Sequence, residues 1–359
     1  MKKLGSALLG IIVLCSLLCI FNFNLNRNTS GAREKEKVLN IFNWGDYIDP
    51  SLIKKFERQT GYRVTIQTFD SNESMIEKIR QGGTTYDLTM PSEYMVEKMR
   101  KMNLLKPINH RKIRNLNQID PLFLNQSFDP KNRYSLPYFW GTLGIIYNDK
   151  FIKPNSIKHW KDLWSSKYKN AILLIDSVRD VFAISLISQN QSINTTNLNI
   201  LHQAEEKLVK LTPNIKAIVA DEIKMYMEQE EGYLAVDWSG EAAEMISVNP
   251  HLHYFVPEEG SNLWIDSFVI PRTAKHFDAI YKFLNFMSEP ENAAQNAKYV
   301  GYSTPNRGAK KILPQRVVQQ RAFYPSDQTM NHLATYRDLG AKIVEEYNDL
   351  YLEFKMARQ

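Results

Sequence analysis

A chain of 359 residues exceeds what one hydrophobic core usually organises, so two domains or one two-lobed unit are expected. Hydrophobic residues make up 43% and charged residues 23%, a globular mix that excludes wholesale disorder. The formal net charge is +6, but Lys2, Lys3, Arg27, Arg33, Lys35 and Lys37 stand against only Glu34 and Glu36 in residues 1–37, so the body carries about +2 and lacks the clustered basic face that nucleic acid requires.

Lys2 and Lys3 precede roughly 20 mostly apolar residues, the length that spans a hydrocarbon core of about 30 Å. Residues 1–25 therefore read as an export signal or membrane anchor. A cleaved signal has a shorter apolar region of about 7 to 15 residues and a small-x-small cleavage site, which favours an uncleaved anchor here. The lysines keep the N-terminus inside and place the remainder outside the cytoplasm. Cys15 and Cys19 both lie in this stretch without the small residue usual before a lipidated cysteine. The body then has no disulfide, thiol nucleophile or cysteine metal site. Residues 26–37 are polar and charged and read as a tether.

The fold is expected to begin near Val38. "VLNIF" reads as a buried strand, "DPSLIKKFERQTG" as an amphipathic helix stopped by Gly61, and "YRVTIQTF" as an alternating strand. "SNESMIEKIRQG" starts with the cap Ser71, "YDLTMP" is a strand, and "SEYMVEKMRKMN" is a helix capped by Ser92, with Glu93, Glu97, Lys98 and Arg100 as its solvated face. The pattern returns in "AILLID" before "SVRDVFAISLI" and in "GYLAVDW" before "SGEAAEMISV". Alternating strands and helices imply an α/β architecture. The long stretches 135–148 and 263–271 are candidate crossings between lobes.

Ligands of open α/β sheets bind beyond the carboxyl ends of the strands. The residues expected there include Trp44, Asp46, Tyr47, Asp70, Ser92, Tyr94, Asp176, Asp180, Trp238, Glu241, Trp264 and Asp266. Aromatic rings and carboxylates dominate, which suits a cation with an apolar body. Aromatic faces attract ammonium groups by roughly 0.5 to 2 kcal/mol, and a buried ammonium needs a carboxylate to offset desolvation. Asp49, Asp176 and Ser92 also suit plain helix caps.

Enzyme readings find little support. His251 and His253 alternate in "HLHYF", but no third metal ligand is near them in sequence. Ser239 lacks a G-x-S-x-G context and no histidine partner can be argued for it. No nucleotide-binding glycine motif occurs. No catalytic residue, metal or cofactor is assigned.

From about Val38 onward the chain resembles the spermidine/putrescine-binding proteins of polyamine ABC transporters, of type II periplasmic-binding-protein fold. The segments that carry the resemblance are "NWGDYID", "FDSNESM", "YDLTMPSEYMVEKMR", "SFDP", "YSLPYFWGTLGIIYN", "HWKDLW", "WIDSFVIP" and "VGYSTPN". The N-terminus is similar to the anchored form found in Gram-positive bacteria. The resemblance implies two lobes joined by crossover strands around a ligand cleft, with lobe 1 at 38–141 plus 266–310 and lobe 2 at 142–265 plus 311–359. It implies an aromatic box of Trp44, Tyr47, Tyr94, Trp238, Trp264 and Tyr302, with Asp266 on the inner amine, Asp180 on a terminal amine, and Ser92 and Asp46 as polar contacts near the other end. Trp44 and Tyr47 are expected on one wall of the cleft and Trp238 with Asp180 on the other, exposed before ligand arrives.

Two positions depart from the pattern. Ser177 stands where proteobacterial members have an acid, a loss that Asp176 or Asp237 could replace, and Tyr336 aligns loosely with a ligand-contacting Gln. The implied partners are a polyamine and ABC permease subunits with a cytoplasmic ATPase, on the outer face of the cell membrane. The alternatives are a receptor of the same fold for another cation such as thiamine, or a membrane-anchored hydrolase.

Overall fold

The computed structural model describes residues 37–358; the expected anchor and nearly all of the tether lie outside them. Among the described residues no helix is long and apolar enough to cross a membrane.

The strand-helix order of the N-terminal third follows the periodicity. Strand β1 (Val38–Trp44) is buried along most of its length. Helix α1 (Pro50–Thr60) starts where Asp49 accepts the Ser51 N–H at 2.8 Å, and it stops at Gly61, whose φ of 71° an L side chain would resist. β2 (Arg63–Phe69) pairs with β1 alone in the sheet order, so most of its side chains face solvent instead of alternating. Ser71 caps α2 (Asn72–Gln81) by accepting the Ser74 N–H at 3.1 Å. β3 (Leu88–Thr89) then leads through Ser92 into α3 (Glu93–Lys101). β2 and β3 flank β1 in parallel, the arrangement that crossover helices produce.

Beyond β4 (Leu105–Lys106) the chain enters β5 (Ser135–Asn148). A second strand-helix region follows with β6 (Ile172–Ile175), α4 (Val178–Ile187), α5 (Leu198–Val209), β7 (Ile215–Val219), α6 (Glu222–Glu228), β8 (Leu234–Trp238), α7 (Ser239–Val248) and β9 (Leu252–Phe255). The chain returns along β10 (Ser261–Pro271) to α8 (Phe277–Met287) and α9 (Pro290–Val300). Short elements α10 (Arg307–Ile312), α11 (Gln315–Val318), α12 (Asp327–Met330) and β11 (Leu333–Ala334) precede the final helix α13 (Ala341–Ala357).

Strand pairing runs continuously in the order β2-β1-β3-β10-β5-β8-β6-β7, with β4 and β11 on β10 and β9 on β5. β5 and β10 are antiparallel and form the spine of this path. The apolar side chains nevertheless separate into two large cores. The first takes Leu39 to Trp140 and Leu263 to Tyr324; the second takes Leu143 to Tyr254, Ala322 and Tyr347 to Phe354. Each fully buried Leu, Ile or Phe in them contributes about 1.5–3 kcal/mol. β5 passes from one core to the other at Gly141 and Thr142, and the segment between β11 and α13 passes back. Gly141 is needed there: a Cβ on it would lie 2.4 Å from the Trp264 ring. The strand ends and helix starts of both cores therefore meet around these crossings.

Candidate functional site

On the side of the first core the site begins where β1 ends. Trp44 donates its indole N–H to the Met90 carbonyl at 2.8 Å and packs its ring on Phe69. Asp46 turns the chain with a φ of 47° and is exposed, outside the hydrogen-bond network of the site. That turn sends Tyr47 inward. Its ring meets Tyr138, Phe139 and Tyr302 edge-on, and its hydroxyl donates to Asp266 Oδ2 at 2.6 Å. The expectation of exposed aromatics thus fails for Tyr47, which is buried because Asp266 gives its hydroxyl a partner inside.

Asp266 is 5% exposed and its Oδ1 has no hydrogen-bond partner. Burial raises its pKa to about 6, while the Tyr47 bond and the Ser92 hydroxyl act in the opposite direction. Ser92 occupies the cap position of α3 without capping it; its hydroxyl accepts from Asn72 Nδ2 at 3.1 Å, and its backbone bridges to that of Asp266. The Tyr94 hydroxyl also accepts from Asn72, at 3.1 Å, and donates to Glu73 at 3.3 Å.

On the side of the second core Asp180 lies buried in the first turn of α4. Its Oδ2 accepts from Ser177 Oγ at 2.6 Å and from Trp238 Nε1 at 3.2 Å, and its Oδ1 accepts from the Tyr336 hydroxyl at 2.7 Å. Burial still holds its pKa above the usual carboxylate value. Asp237 is pushed well up, first by burial and then by the charge of Glu241. Asp176 points elsewhere, to Tyr351 and Lys355 on α13.

Tyr302 stands between the two groups. It donates to Glu241 Oε1 at 2.9 Å, meets Trp264 edge-on at 4.9 Å, and feels the charges of Glu241, Asp237 and Asp266. Gly240 permits this approach, since a Cβ there would lie 1.8 Å from Tyr302 Cε1. The result is a concentration of carboxylates walled by aromatic rings, with Lys224 on Glu241 at 2.8 Å and Arg179 near Asp180 as the opposing cations. Such a field favours a cation that brings its own methylenes.

Glu93 and Glu97 correct the sequence reading of a solvated helix face, being 0% and 2% exposed. Glu93 accepts the Ile265 N–H on Oε2 and the Tyr336 N–H on Oε1, both at 3.0 Å, and burial pushes its pKa up to about 8. Glu97 accepts the Asp338 N–H at 3.0 Å. Both tie α3 to the returning C-terminal segment, so nothing local in "SEYMVEKMRK" marks them as buried. His251 and His253 both bond Asp149 and are half-buried, and no group of three or more metal-ligating side chains suited to a metal ion occurs among the described residues.

The family described as Bacterial extracellular solute-binding protein matches residues 51–323. A spermidine/putrescine-binding periplasmic protein of Salmonella typhimurium is 38% identical over 325 residues, covering 89% of this chain and 92% of its own. The counterpart of the same name from Escherichia coli is 36% identical, covering 90% and 93%. The solved structure of a spermidine/putrescine ABC transporter substrate-binding protein from Streptococcus pneumoniae aligns with a TM-score of 0.83 at 52% identity, covering 90% of this chain and 99% of that one.

Proposed function

Because this chain belongs to the bacterial extracellular solute-binding proteins, we propose that it captures a polyamine, spermidine or putrescine, outside the cytoplasm and delivers it to an ABC permease powered by a cytoplasmic ATPase. The observation that carries the ligand class is Asp266: a buried carboxylate with one unpartnered oxygen, surrounded by Tyr47, Trp264 and Tyr302. An unpaired buried carboxylate is costly, and an ammonium group supplies the missing donor.

The aromatic surround suits an aliphatic chain between amines. Thiamine offers fewer amines to satisfy, and the relatives named for polyamines favour the polyamine reading over it. The box comprises Trp44, Tyr47, Tyr94, Trp238, Trp264 and Tyr302, with Asp266 as charged anchor, Ser92 beside it and Asp46 at the rim. Asp180 with Ser177 and Tyr336 terminates the cleft on the other side. The two apolar cores act as the two lobes, closing on ligand about the crossings near Gly141, at the start of β10 and between β11 and α13. The apolar N-terminal segment anchors the protein on the outer face of the membrane.

Calorimetric titration with spermidine, putrescine and thiamine tests this reading. One-to-one binding of either polyamine and no heat from thiamine is expected. Heat from thiamine alone would keep the fold and discard the ligand.

A further inference from the structure

Asp180 and Asp266 face the site from opposite cores, yet they stand in opposite states. Asp266 keeps a buried oxygen without a donor. Both oxygens of Asp180 are taken by this chain's own side chains: Oδ2 by Ser177 and Trp238, Oδ1 by the Tyr336 hydroxyl at 2.7 Å.

Tyr336 is held at both ends. Its backbone N–H donates to the buried Glu93 Oε1 at 3.0 Å, its ring packs with Ala183, Ile193 and Tyr94, and the Arg179 guanidinium lies 4.5 Å from the ring centroid. The residue is 5% exposed. Arg179 also acts on Asp180 directly, as a nearby positive charge favouring the carboxylate. An amine reaching for Asp180 would meet a carboxylate that already holds three donors, a short phenol bond among them, and would stand beside a guanidinium. Displacing that fixed phenol leaves its hydroxyl without a partner in a buried place. Oδ1 of Asp266 carries no phenol bond of this kind; beside Tyr47 on Oδ2, the Ser92 hydroxyl is the other side-chain donor that acts on this carboxylate.

We propose that Tyr336 determines ligand specificity by capping Asp180, so that the cleft anchors one amine at Asp266 and discriminates against a polyamine long enough to need a second amine at Asp180. The inference rests on the polyamine reading and deepens it: the preferred ligand is the short diamine putrescine, and the triamine spermidine, longer by an aminopropyl arm, is disfavoured. Ser177 belongs to the same device, because its hydroxyl fills a site on Asp180 Oδ2.

The test is the ratio of spermidine to putrescine affinity, measured by calorimetry on the wild type, Tyr336→Phe and Tyr336→Gln. Phe keeps the ring and removes only the hydroxyl; Gln keeps polarity and removes the ring. The wild type is expected to prefer putrescine, and each variant to raise the ratio by about tenfold, the scale of one hydrogen bond to a charged group. A loss from misfolding lowers both affinities together and leaves the ratio where it was, so the ratio separates specificity from stability. A wild type that prefers spermidine, or variants that leave the ratio unchanged, would overturn the capping role while leaving the polyamine reading intact. Failure of both ligands to bind the wild type would overturn the polyamine reading and this inference with it.

Discussion

Tyr47 donates its phenolic proton to Oδ2 of Asp266 at 2.6 Å, joining two residues 219 positions apart inside the first core. The bond holds Oδ2 and leaves Oδ1 buried without a hydrogen-bond partner. It also gives the aromatic after the Gly-Asp turn at the end of β1 a partner: the turn brings that hydroxyl to a buried carboxylate.

Replacing Asp266 with Asn should remove the ammonium partner and cost about 3–5 kcal/mol of binding, more than a hundredfold in affinity. Tyr47→Phe should cost less, about 1.5–3 kcal/mol, because the carboxylate survives with one donor fewer. Calorimetry on both variants checks the order. An Asp266→Asn protein that binds polyamine as the wild type does would remove Asp266 as anchor.

Binding should weaken in acid. With its pKa raised to about 6, Asp266 takes up a proton as pH falls through that value, and a neutral acid no longer pairs with an ammonium. Affinity should be level above pH 7 and fall by up to about tenfold per unit below 6. A flat profile between pH 4.5 and 8 would mean that Asp266 does not hold the amine.

Gly240→Ala should disturb the site through packing alone. The added methyl would overlap the Tyr302 ring, forcing that ring off Glu241 and Trp264. Overpacking of this kind costs about 1–3 kcal/mol, and a lowered melting temperature with weakened ligand binding is expected. A variant with wild-type melting and binding would mean that Tyr302 moves aside freely.

The strand-helix alternation, the caps at Asp49 and Ser71 and the stop at Gly61 were legible because they depend on residues a few positions apart. Asp266, Trp264 and Tyr302 were named through family resemblance, and the fold sets Tyr302 edge-on to Trp264 and within the field of Asp266. Glu93 and Glu97 were not, because their burial comes from backbone N–H groups of residues 336 and 338, more than 240 positions downstream. The capping of Asp180 escaped for the same reason: Tyr336 lies 156 residues from it. Periodicity reports which face of a helix is apolar, and it is silent on a carboxylate that is buried because another segment needs its oxygens.

Glu93 should make the free protein less stable as pH rises. Its pKa is raised from 4.5 to about 8, so its protonated form is favoured in the folded state, and that contribution is complete below about 4.5 and lost as pH climbs through 8. Denaturant unfolding between pH 5 and 9 should show this fall, with a smaller slope in Glu93→Gln, whose side chain does not titrate. Glu93→Ala should cost about 1–3 kcal/mol for each of the two N–H groups it strands. Identical slopes in wild type and Glu93→Gln would assign the titration to another buried acid.

The interleaved course of the chain through its two cores sets a schedule for synthesis. The first core needs β10 and α8 to complete what β1 began, and the second needs α13 to complete what β6 began. A chain emerging from the ribosome N-terminus first has neither partner until most of its length is out, and contacts so distant in sequence form slowly. A chain exported unfolded has to stay open until it has crossed the membrane. Wiring each half to the far end of the chain delays compaction during such a passage, so the same return crossings that join the two cores would also keep the nascent chain threadable.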